Sequence, residues 1–400
     1  MGVDKSFYFC EVLNIAIFFN LKIIMKKFYI LILLALLCSP LCVSAQEAAA
    51  QEKEQLEAQV DSLQQRLAKI EKRAKIWDKL KQHFKISGLL QAGYSWDEGS
   101  STFYLRRARL SLAGDIFRGK KGAMADYRLQ VEFTGTPKIV DLYIRYAPVK
   151  EFGIQIGQFK SPLSIENSEY NPKILEFIDY SLVAQRLAHL SSGDVTGISS
   201  TGRELGAQFY GSAFHKKGYS ILRYNLALFN GNGINAKDNN KTKDFVGRVM
   251  VSPIKDLTLA GYYQYGEGSF AQDKFPQFYG AEVGNTKYVK YQRYGGGVAY
   301  NGKHAFARAE YIGGKTGVLR SEGAYASAGY KFCGKGMVGV RFDYFDDDLS
   351  NIQREFNYTL GVTYQPWKYL RLQLNYVYKH YQHFDKKNGN LINFMVTAMY

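Results

Sequence analysis

The residues most suited to chemistry in this sequence are arginines that recur at alternate positions, on the side of the pattern that carries charge. A guanidinium group is planar and donates two parallel hydrogen bonds to phosphate or carboxylate oxygens. Rings of arginine or lysine around a pore also favour anions. The pattern therefore predicts contact with anions. The ten arginines are Arg107, Arg109, Arg128, Arg145, Arg223, Arg248, Arg293, Arg308, Arg341 and Arg371. The acids on the same side are Asp126, Glu132, Asp141, Glu204, Glu310 and Asp343.

A second interpretation of each arginine remains open, because it could pair with an acid on a neighbouring strand and brace the wall. Arg106 falls on the opposite side by alternation, which predicts an outward contact at an interface between subunits. Arg107, Arg109, Lys160 and Arg203 are the first candidates to face a solute. The full set that we expect along an anion pathway is Arg107, Arg109, Arg128, Arg145, Lys160, Arg203, Arg223 and Arg248.

Catalysis and metal binding have little support in the sequence. His380 and His383 lie three residues apart at a predicted strand end, which puts their side chains on opposite faces and is poor geometry for a metal. Neither a nucleophile elbow nor a Cys/His constellation is present. The sequence therefore predicts no enzyme, no metal site and no cofactor.

The elements that position the arginines are strands, because the hydrophobic period from residue 84 onward is two. In residues 123–134, the apolar residues alternate with Asp126, Arg128, Gln130 and Glu132. Runs of about ten residues, apolar on one face, polar on the other and aromatic near the tips, are typical of transmembrane β-barrels. We therefore predict an all-β fold, a transmembrane antiparallel β-barrel with its apolar face outward. The last segment, 391–400, alternates to a terminal tyrosine, as the C-terminal strand of an outer-membrane protein does.

Sixteen strands fit residues 83–400, and a barrel of about that number encloses an aqueous channel. Tight turns at Pro148-Val149-Lys150 and Gln365-Pro366-Trp367 suit the periplasmic rim. The predicted strands are 84–96, 102–116, 123–134, 138–147, 151–160, 203–212, 219–229, 243–252, 256–265, 290–300, 304–312, 322–331, 336–346, 355–365, 368–379 and 391–400.

The long connection 161–201 is unusual for a compact fold, and such segments are commonly functional. It carries mixed charge and a helical stretch, Ile174–Ala188. Its place in a sixteen-stranded barrel predicts a loop folded inward to constrict the channel. An extracellular lid or a latch between subunits is the alternative.

The composition agrees with a barrel. The chain has 400 residues with 31 Tyr, 26 Phe and 38 Gly but only 8 Pro, which favours strands over helices. A mean hydropathy of −0.26 argues against a helical membrane protein, and 46% hydrophobic residues argue against disorder. The net charge of +16 would suit nucleic acid, but a positive lumen in an exported barrel is the simpler explanation, so we expect no nucleic-acid partner.

Residues 1–45 are predicted to be a signal peptide. Met25-Lys26-Lys27 is a basic start, Phe28–Leu37 is an apolar segment, and Val43-Ser44-Ala45 fits the cleavage rule. Residues 1–24 are then an over-long start, and a transmembrane anchor at Phe7–Ile24 is the alternative. Only Cys333 lies beyond this region, so no disulfide is expected in the mature chain.

A heptad pattern follows within the predicted segment 46–82. Apolar residues spaced alternately by four and three form the narrow seam of a coiled coil, which predicts self-association in the periplasm. An amphipathic helix lying on the barrel rim or on lipid is the alternative. The seam consists of Leu56, Val60, Leu63, Leu67, Ile70, Ala74 and Trp77.

Four segments together resemble the phosphate-selective porins, the porin O and P family. They are Arg106–Leu110 (RRARL), Gly157–Glu166 (GQFKSPLSIE), Gly202–Gly206 (GRELG) and Phe229–Gly233 (FNGNG). The resemblance spans residues 84–400. It implies a homotrimer of sixteen-stranded barrels in the outer membrane of a Gram-negative bacterium, with anions passing down an arginine-lined pore.

Three functions remain open at this point. The first is passive diffusion of small anions, with phosphate or polyphosphate as the suspected solute. The second is a general diffusion pore without selectivity. The third is a structural barrel that tethers the envelope through its coiled coil.

Overall fold

The computed structural model describes residues 26, 53, 56–73, 84–119, 123–347, 354–382 and 387–400. The predicted signal peptide, apart from residue 26, lies outside the described residues, as do Ala74, Trp77 and His383. The chain divides into two compact units, Met1–Asp78 and Lys79–Tyr400.

The first unit contains a helix over residues 56–73. The five described seam residues of this helix are exposed, from 38% for Leu56 to 62% for Ile70. The helix therefore presents an uncovered apolar stripe along its length. Among the described residues, we find no helix that combines the length and the hydrophobicity needed to cross a bilayer.

The second unit is a closed barrel of sixteen antiparallel strands, which confirms the predicted fold class. Each strand pairs with its sequence neighbours, and β1 closes the barrel by pairing with β16. The strands are β1 Phe84–Asp97, β2 Ser101–Arg118, β3 Met124–Glu132, β4 Lys138–Val149, β5 Phe152–Lys160, β6 Arg203–Lys216, β7 Tyr219–Phe229, β8 Asp244–Ile254, β9 Leu257–Gly268, β10 Val289–Asn301, β11 Ala305–Thr316, β12 Leu319–Phe332, β13 Gly336–Asp347, β14 Glu355–Trp367, β15 Leu370–Tyr381 and β16 Gly389–Met399.

The two rims of the barrel differ in their connections. At the short-turn rim, the turns that are described in full have two or three residues. The opposite, long-loop rim carries the connections 161–202, 230–243 and 269–288. Two turns lie later than predicted, because β4 continues to Val149 and β14 to Trp367, each across a register shift that absorbs the proline. The turns are therefore at 150–151 and 368–369.

Burial in the barrel is the inverse of burial in a soluble protein. Large apolar side chains face outward, and Phe103 and Leu105 are 84% and 72% exposed. Arg293, Arg308 and Asp343 are instead among the most buried residues. This distribution is stable only where hydrocarbon surrounds the barrel, because lipid accepts the apolar face and a closed sheet leaves no unpaired backbone edge.

The loop 161–202 contacts the inner face of the barrel. It contains two short helices, α1 (Ile165–Glu169) and α2 (Leu182–Leu187). Apolar side chains of α2 pack with Ile312, Tyr325 and Phe345, which point inward from β11, β12 and β13. Glycine makes the close approach possible. A Cβ atom at Gly323 would lie 2.9 Å from Val183 Cγ2, and one at Gly361 would lie 2.7 Å from Phe177 Cδ1.

Candidate functional site

The first attachment of loop 161–202 is the carboxylate of Glu310, on β11. The Ile165 N–H donates to it at 2.6 Å, and the Ser164 hydroxyl donates at 3.1 Å. The hydroxyl groups of Tyr262 and Tyr325 donate at 2.7 and 3.2 Å. Glu310 is 3% exposed and contacts no cation among the described ion pairs, so neutral donors alone satisfy it. The carboxylate therefore fixes the start of α1 against the wall.

A second attachment holds the start of α2. The Leu182 N–H donates to Asp343 on β13 at 2.9 Å, and Arg341 bonds the same carboxylate at 2.7 Å. Arg341 also donates to the main-chain oxygen of Asp179 at 2.8 Å. Arg341 thus pairs with an acid two residues away on its own strand, and the pair holds the loop and does not face the open lumen.

Two further arginines, on β11 and β15, also hold the loop. Arg308 bonds Glu176 at 2.7 Å and stacks on Tyr170, with its guanidinium carbon 3.7 Å from the ring centre. Arg371 donates to the main-chain oxygens of Lys173 and Leu175 at 2.9 and 2.6 Å. On the β10–β15 side of the lumen, Arg308, Arg341 and Arg371 therefore bond the loop and do not face the open channel.

Arg106 corrects the prediction that it points outward. The register between β1 and β2 shifts where Gln91 pairs with Arg107 and Ala92 pairs with Leu105, so Arg106 is an extra residue in a β-bulge. Its side chain bonds Asp179 of the loop at 2.6 Å. The bulge thus gives two consecutive arginines to the lumen side, which strict alternation does not allow.

Two arginines on β2 to β8 form one-to-one pairs with acids on neighbouring strands. Arg109 bonds Glu132 at 2.7 Å, and Arg145 bonds Asp126 through two hydrogen bonds of 2.8 and 2.9 Å. Each of these pairs has one cation and one carboxylate. Such pairs brace neighbouring strands and add little net charge to the lumen.

Two other carboxylates are shared, each between a buried and an exposed arginine. Asp141 bonds Arg203 at 2.6 Å and lies 3.4 Å from Arg128, whose side chain is 38% exposed. Glu169, at the end of α1, lies 3.0 Å from Arg248 and 2.9 Å from Arg223. The side chain of Arg223 is also 38% exposed. Each shared site therefore leaves one positive charge uncompensated and accessible.

The last two predicted residues have no carboxylate partner among the described ion pairs. Arg107 donates to the side-chain oxygen of Gln91 at 2.7 Å. Lys160 donates to the main-chain oxygens of Asn167 and Tyr170, the latter at 3.5 Å. Among the described ion pairs, the eight predicted cations thus contact four carboxylates: Glu132, Asp126, Asp141 and Glu169.

A cavity of about 790 Å³ lies between this wall and the loop. Nine basic and two acidic residues line it. Sequence analysis missed three of the basic residues, Lys85, Lys173 and Lys368, because strand ends and loop residues escape an alternation argument. Glu204 and Asp244 lie on β6 and β8 but do not line this cavity; they accept hydrogen bonds from Gly233 N and the Tyr291 hydroxyl. The cavity surface is therefore strongly basic.

Electrostatics stabilise the charged form of two loop carboxylates. Burial raises the pKa of the Glu169 carboxyl, but Arg248 and Arg223 outweigh burial and hold the pKa below its ordinary value. Burial likewise raises the pKa of the Asp179 carboxyl, but Arg106, Arg341 and Arg107 together outweigh burial, so that the pKa is lowered. Both loop contacts are therefore ion pairs at neutral pH.

Metal binding finds no site in the described part of the chain, where no three His, Cys, Asp or Glu side chains form a suitable group. The ring of His380 packs against that of Phe356 at an angle of 35°, with 5.9 Å between ring centres.

Comparison with solved structures gives the same architecture at low sequence identity. An anion-selective porin from Comamonas acidovorans aligns with a TM-score of 0.61 and 13% identity over 79% of this chain and 99% of that chain. A loop-deletion form of OmpT from Vibrio cholerae aligns with a TM-score of 0.58 and 11% identity over 79% of this chain and 99% of that chain. The outer-membrane channel DcaP of Acinetobacter baumannii aligns with a TM-score of 0.56 and 12% identity over 79% of this chain and 97% of that chain. A search of curated proteins returned no match.

The family comparison covers the whole barrel. The model of the family described as phosphate-selective porin O and P matches residues 84–399, which confirms the resemblance seen in the sequence. The short-turn rim is accordingly periplasmic and the long-loop rim extracellular. The chain belongs to the phosphate-selective porin O and P family and is an outer-membrane porin of the Gram-negative type.

Proposed function

We propose that this porin conducts small anions in preference to cations, and that the basic wall on β2 to β8 sets the preference. The observation that carries the proposal is the imbalance of eight cations against four contacting carboxylates among the described ion pairs. Six of those cations line the cavity, whose lining contains nine basic and two acidic residues. Charge rings of one sign in a narrow aqueous path raise the local concentration of the opposite ion. The anion selectivity in the name of the Comamonas structure supports the same assignment.

Phosphate is the solute that we propose within this class. The uncompensated groups are mainly guanidinium groups, whose geometry matches two oxygens of a phosphate better than it matches a spherical halide. Loop 161–202 acts as the constriction, because it occupies the β10–β15 side and confines solutes to the basic wall. The family description supports phosphate as well.

The experiment is inhibition of chloride current by phosphate in planar bilayers. We expect phosphate to block chloride current through the wild-type chain, and R128Q/R223Q, which removes the two exposed arginines of the shared sites, to weaken that block. The matched control is R354Q, which removes an exposed arginine paired with Asp346 outside the lumen. Absence of block in the wild type would reject phosphate as the solute. General anion conduction would then be tested separately by the permeability ratio of chloride to potassium.

We further propose that the chain forms a homotrimer and that the heptad seam contributes to it. Support comes from the uncovered stripe on the helix over residues 56–73. Deletion of residues 47–82 should weaken the trimer and leave single-channel conductance unchanged.

The same exposed stripe also favours the tethering function as a second candidate. In that case the deletion would release the barrel from an envelope partner while trimers and conductance persist.

A further inference from the structure

A charged region with two cations and two acids lies on the outside of the barrel, at the extracellular rim of β10 to β13. We call it the outer patch, and it consists of Gln292, Lys315, Arg320, Glu322 and Asp346. Gln292, Lys315 and Arg320 lie side by side in the sheet register, and Glu322 lies beside Asp346. Together with Tyr294 they line a cavity of about 470 Å³. The outer patch is therefore a depression in the wall and not a set of scattered surface charges.

The height of the outer patch matches the lipid headgroups. Tyr294 and Tyr311 face outward just below it and belong to the extracellular aromatic girdle. Tyrosine girdles mark the boundary between hydrocarbon and headgroups. Lys315 is four residues closer to the rim than Tyr311, on the same strand. Charged side chains at this height contact lipid headgroups and not hydrocarbon, so their free-energy cost is small.

The outer patch is local to this side of the barrel. Near the same rim, β2 presents Phe103 and Leu105 outward, and both are highly exposed and apolar. A general need for polar residues at the extracellular rim therefore does not explain the outer patch.

The acids of the outer patch already have partners, whereas its arginine has none. Glu322 accepts a hydrogen bond from the Tyr311 hydroxyl at 2.8 Å, and Asp346 bonds Arg354 at 2.9 Å. Lys315 contacts Glu282 at 2.8 Å, but that glutamate is 74% exposed, and such pairs are weak. Arg320 is exposed and makes no hydrogen bond or ion pair within the described residues. The outer patch thus offers a free guanidinium and a weakly held ammonium.

The wall below the outer patch is unusually shallow. The outward residues that pair between β11 and β12 are Ala307 with Ala328 and Ala309 with Ala326. Val340 and Phe342 stand outward on the neighbouring strand β13. Small side chains between larger ones leave space for an extended hydrocarbon chain beneath the charged groups.

We propose that the outer patch binds the phosphate group of an outer-leaflet lipid, with Arg320 as the bidentate ligand and Lys315 as the second cation. The lipid's acyl chain lies on the alanine surface below. The charges of the outer patch balance, so the selection of a phosphorylated headgroup rests on Arg320, whose guanidinium has no partner among the described residues, and on the weakly held Lys315. The site is separate from the lumen, so it does not depend on the proposed conduction of anions.

The test is native mass spectrometry of the full chain in detergent, titrated with diphosphoryl lipid A or with phosphatidylcholine. We expect the wild type to retain lipid A and to bind phosphatidylcholine more weakly. R320Q should weaken lipid A binding about fivefold, and R320Q/K315Q about 25-fold, at roughly 1 kcal/mol for each cation at the surface. R320K should restore part of the loss. K216Q is the control, because Lys216 is exposed at the periplasmic rim and carries the same charge.

Four results would overturn the proposal. One is lipid A binding by R320Q/K315Q equal to that of the wild type. A second is an equal loss in K216Q, which would indicate unspecific attraction. A third is displacement of lipid A by inorganic phosphate at the same phosphate concentration, which would make the outer patch a free-anion site. The last is dissociation of the oligomer in R320Q, which would make it a subunit contact. Heat-modifiable migration on gels establishes that each variant is folded.

Discussion

The two sides of the lumen use the same residue types for different purposes. On the β10–β15 side, Arg308 and Arg341 bond carboxylates, and Glu310 is satisfied by neutral donors, all in contact with the loop. On the β2–β8 side, two carboxylates are each divided between two arginines. A buried charge needs an opposite charge or a full set of hydrogen-bond donors, because leaving it unsatisfied is costly. An exposed charge can stay unmatched, and only the unmatched side can attract a solute.

The comparison also separates stability from selectivity. Removing a matched residue of the β10–β15 side should loosen the loop, whereas removing an unmatched arginine of the β2–β8 side should change the ion preference and leave the loop in place. The predictions below test this separation in order of decreasing effect.

The largest effect is expected from E310A. The substitution leaves the donors from Ser164, Ile165, Tyr262 and Tyr325 without a carboxylate. A hydrogen bond to a charged group contributes about 1.5–3 kcal/mol, so the loss should release the start of α1 from the wall while Glu169 holds its end. Single-channel conductance should rise and become noisy. E322Q, on the outer face of β12, is the control, and quiet wild-type conductance in E310A would contradict the assignment.

The next effect is expected from R128Q/R223Q, which removes the two exposed arginines of the shared sites. One unit charge about 4 Å from an ion in water is worth about 1 kcal/mol, so the preference for chloride over potassium should fall roughly fivefold for each charge at low salt. Screening should reduce the change at high salt. The permeability ratio from bilayer recordings measures it. R354Q is the control and should leave the permeability ratio unchanged. An unchanged ratio in R128Q/R223Q as well would show that these two charges do not act on the permeating ion.

A smaller effect is expected from R106Q. The variant loses the ion pair with Asp179, but the loop keeps its contacts with Glu310 and Asp343. The loop should therefore stay docked at rest and detach more readily under voltage. Closure or noise events counted against voltage give the readout. D179N should behave alike, and opposite behaviour of the two variants would argue against the pair.

The smallest effect concerns pH. The pKa of Glu169 is lowered below its ordinary value of 4.5, so its pairs with Arg223 and Arg248 are fully formed above that pH. Their contribution is lost as the pH falls through the lowered pKa, which releases two arginines. Anion preference should therefore be constant between pH 7 and 5 and rise at lower pH. E169Q should show the higher anion preference already at pH 7. A rise in anion preference that begins above pH 5 would contradict the lowered pKa of Glu169.

Much of the barrel could be predicted because its signal is local. Lipid outside and water inside impose a period of two on each strand, so residues such as Leu129 and Arg128 reveal their faces directly. The errors lie where the period breaks. Arg106 is placed inward by a bulge, and the turns near Pro148 and Pro366 lie beyond a register shift.

The site was harder to predict, because whether an arginine is matched depends on pairs that are distant in sequence. Glu310 was recognised as an inward acid, but its partner α1 lies 145 residues earlier. The sharing of Asp141 between Arg128 and Arg203 likewise depends on neighbouring strands and on where β6 begins. The doublet Arg106-Arg107 was the available hint, since two consecutive charges in an alternating strand suggest a bulge.

The most direct test of the central claim is the zero-current potential of the wild-type porin across a bilayer with a KCl gradient. The unmatched cations on β2 to β8 predict a potential whose sign corresponds to chloride crossing more readily than potassium. A potential near zero, or of the sign given by potassium, would show that the basic wall does not control permeation.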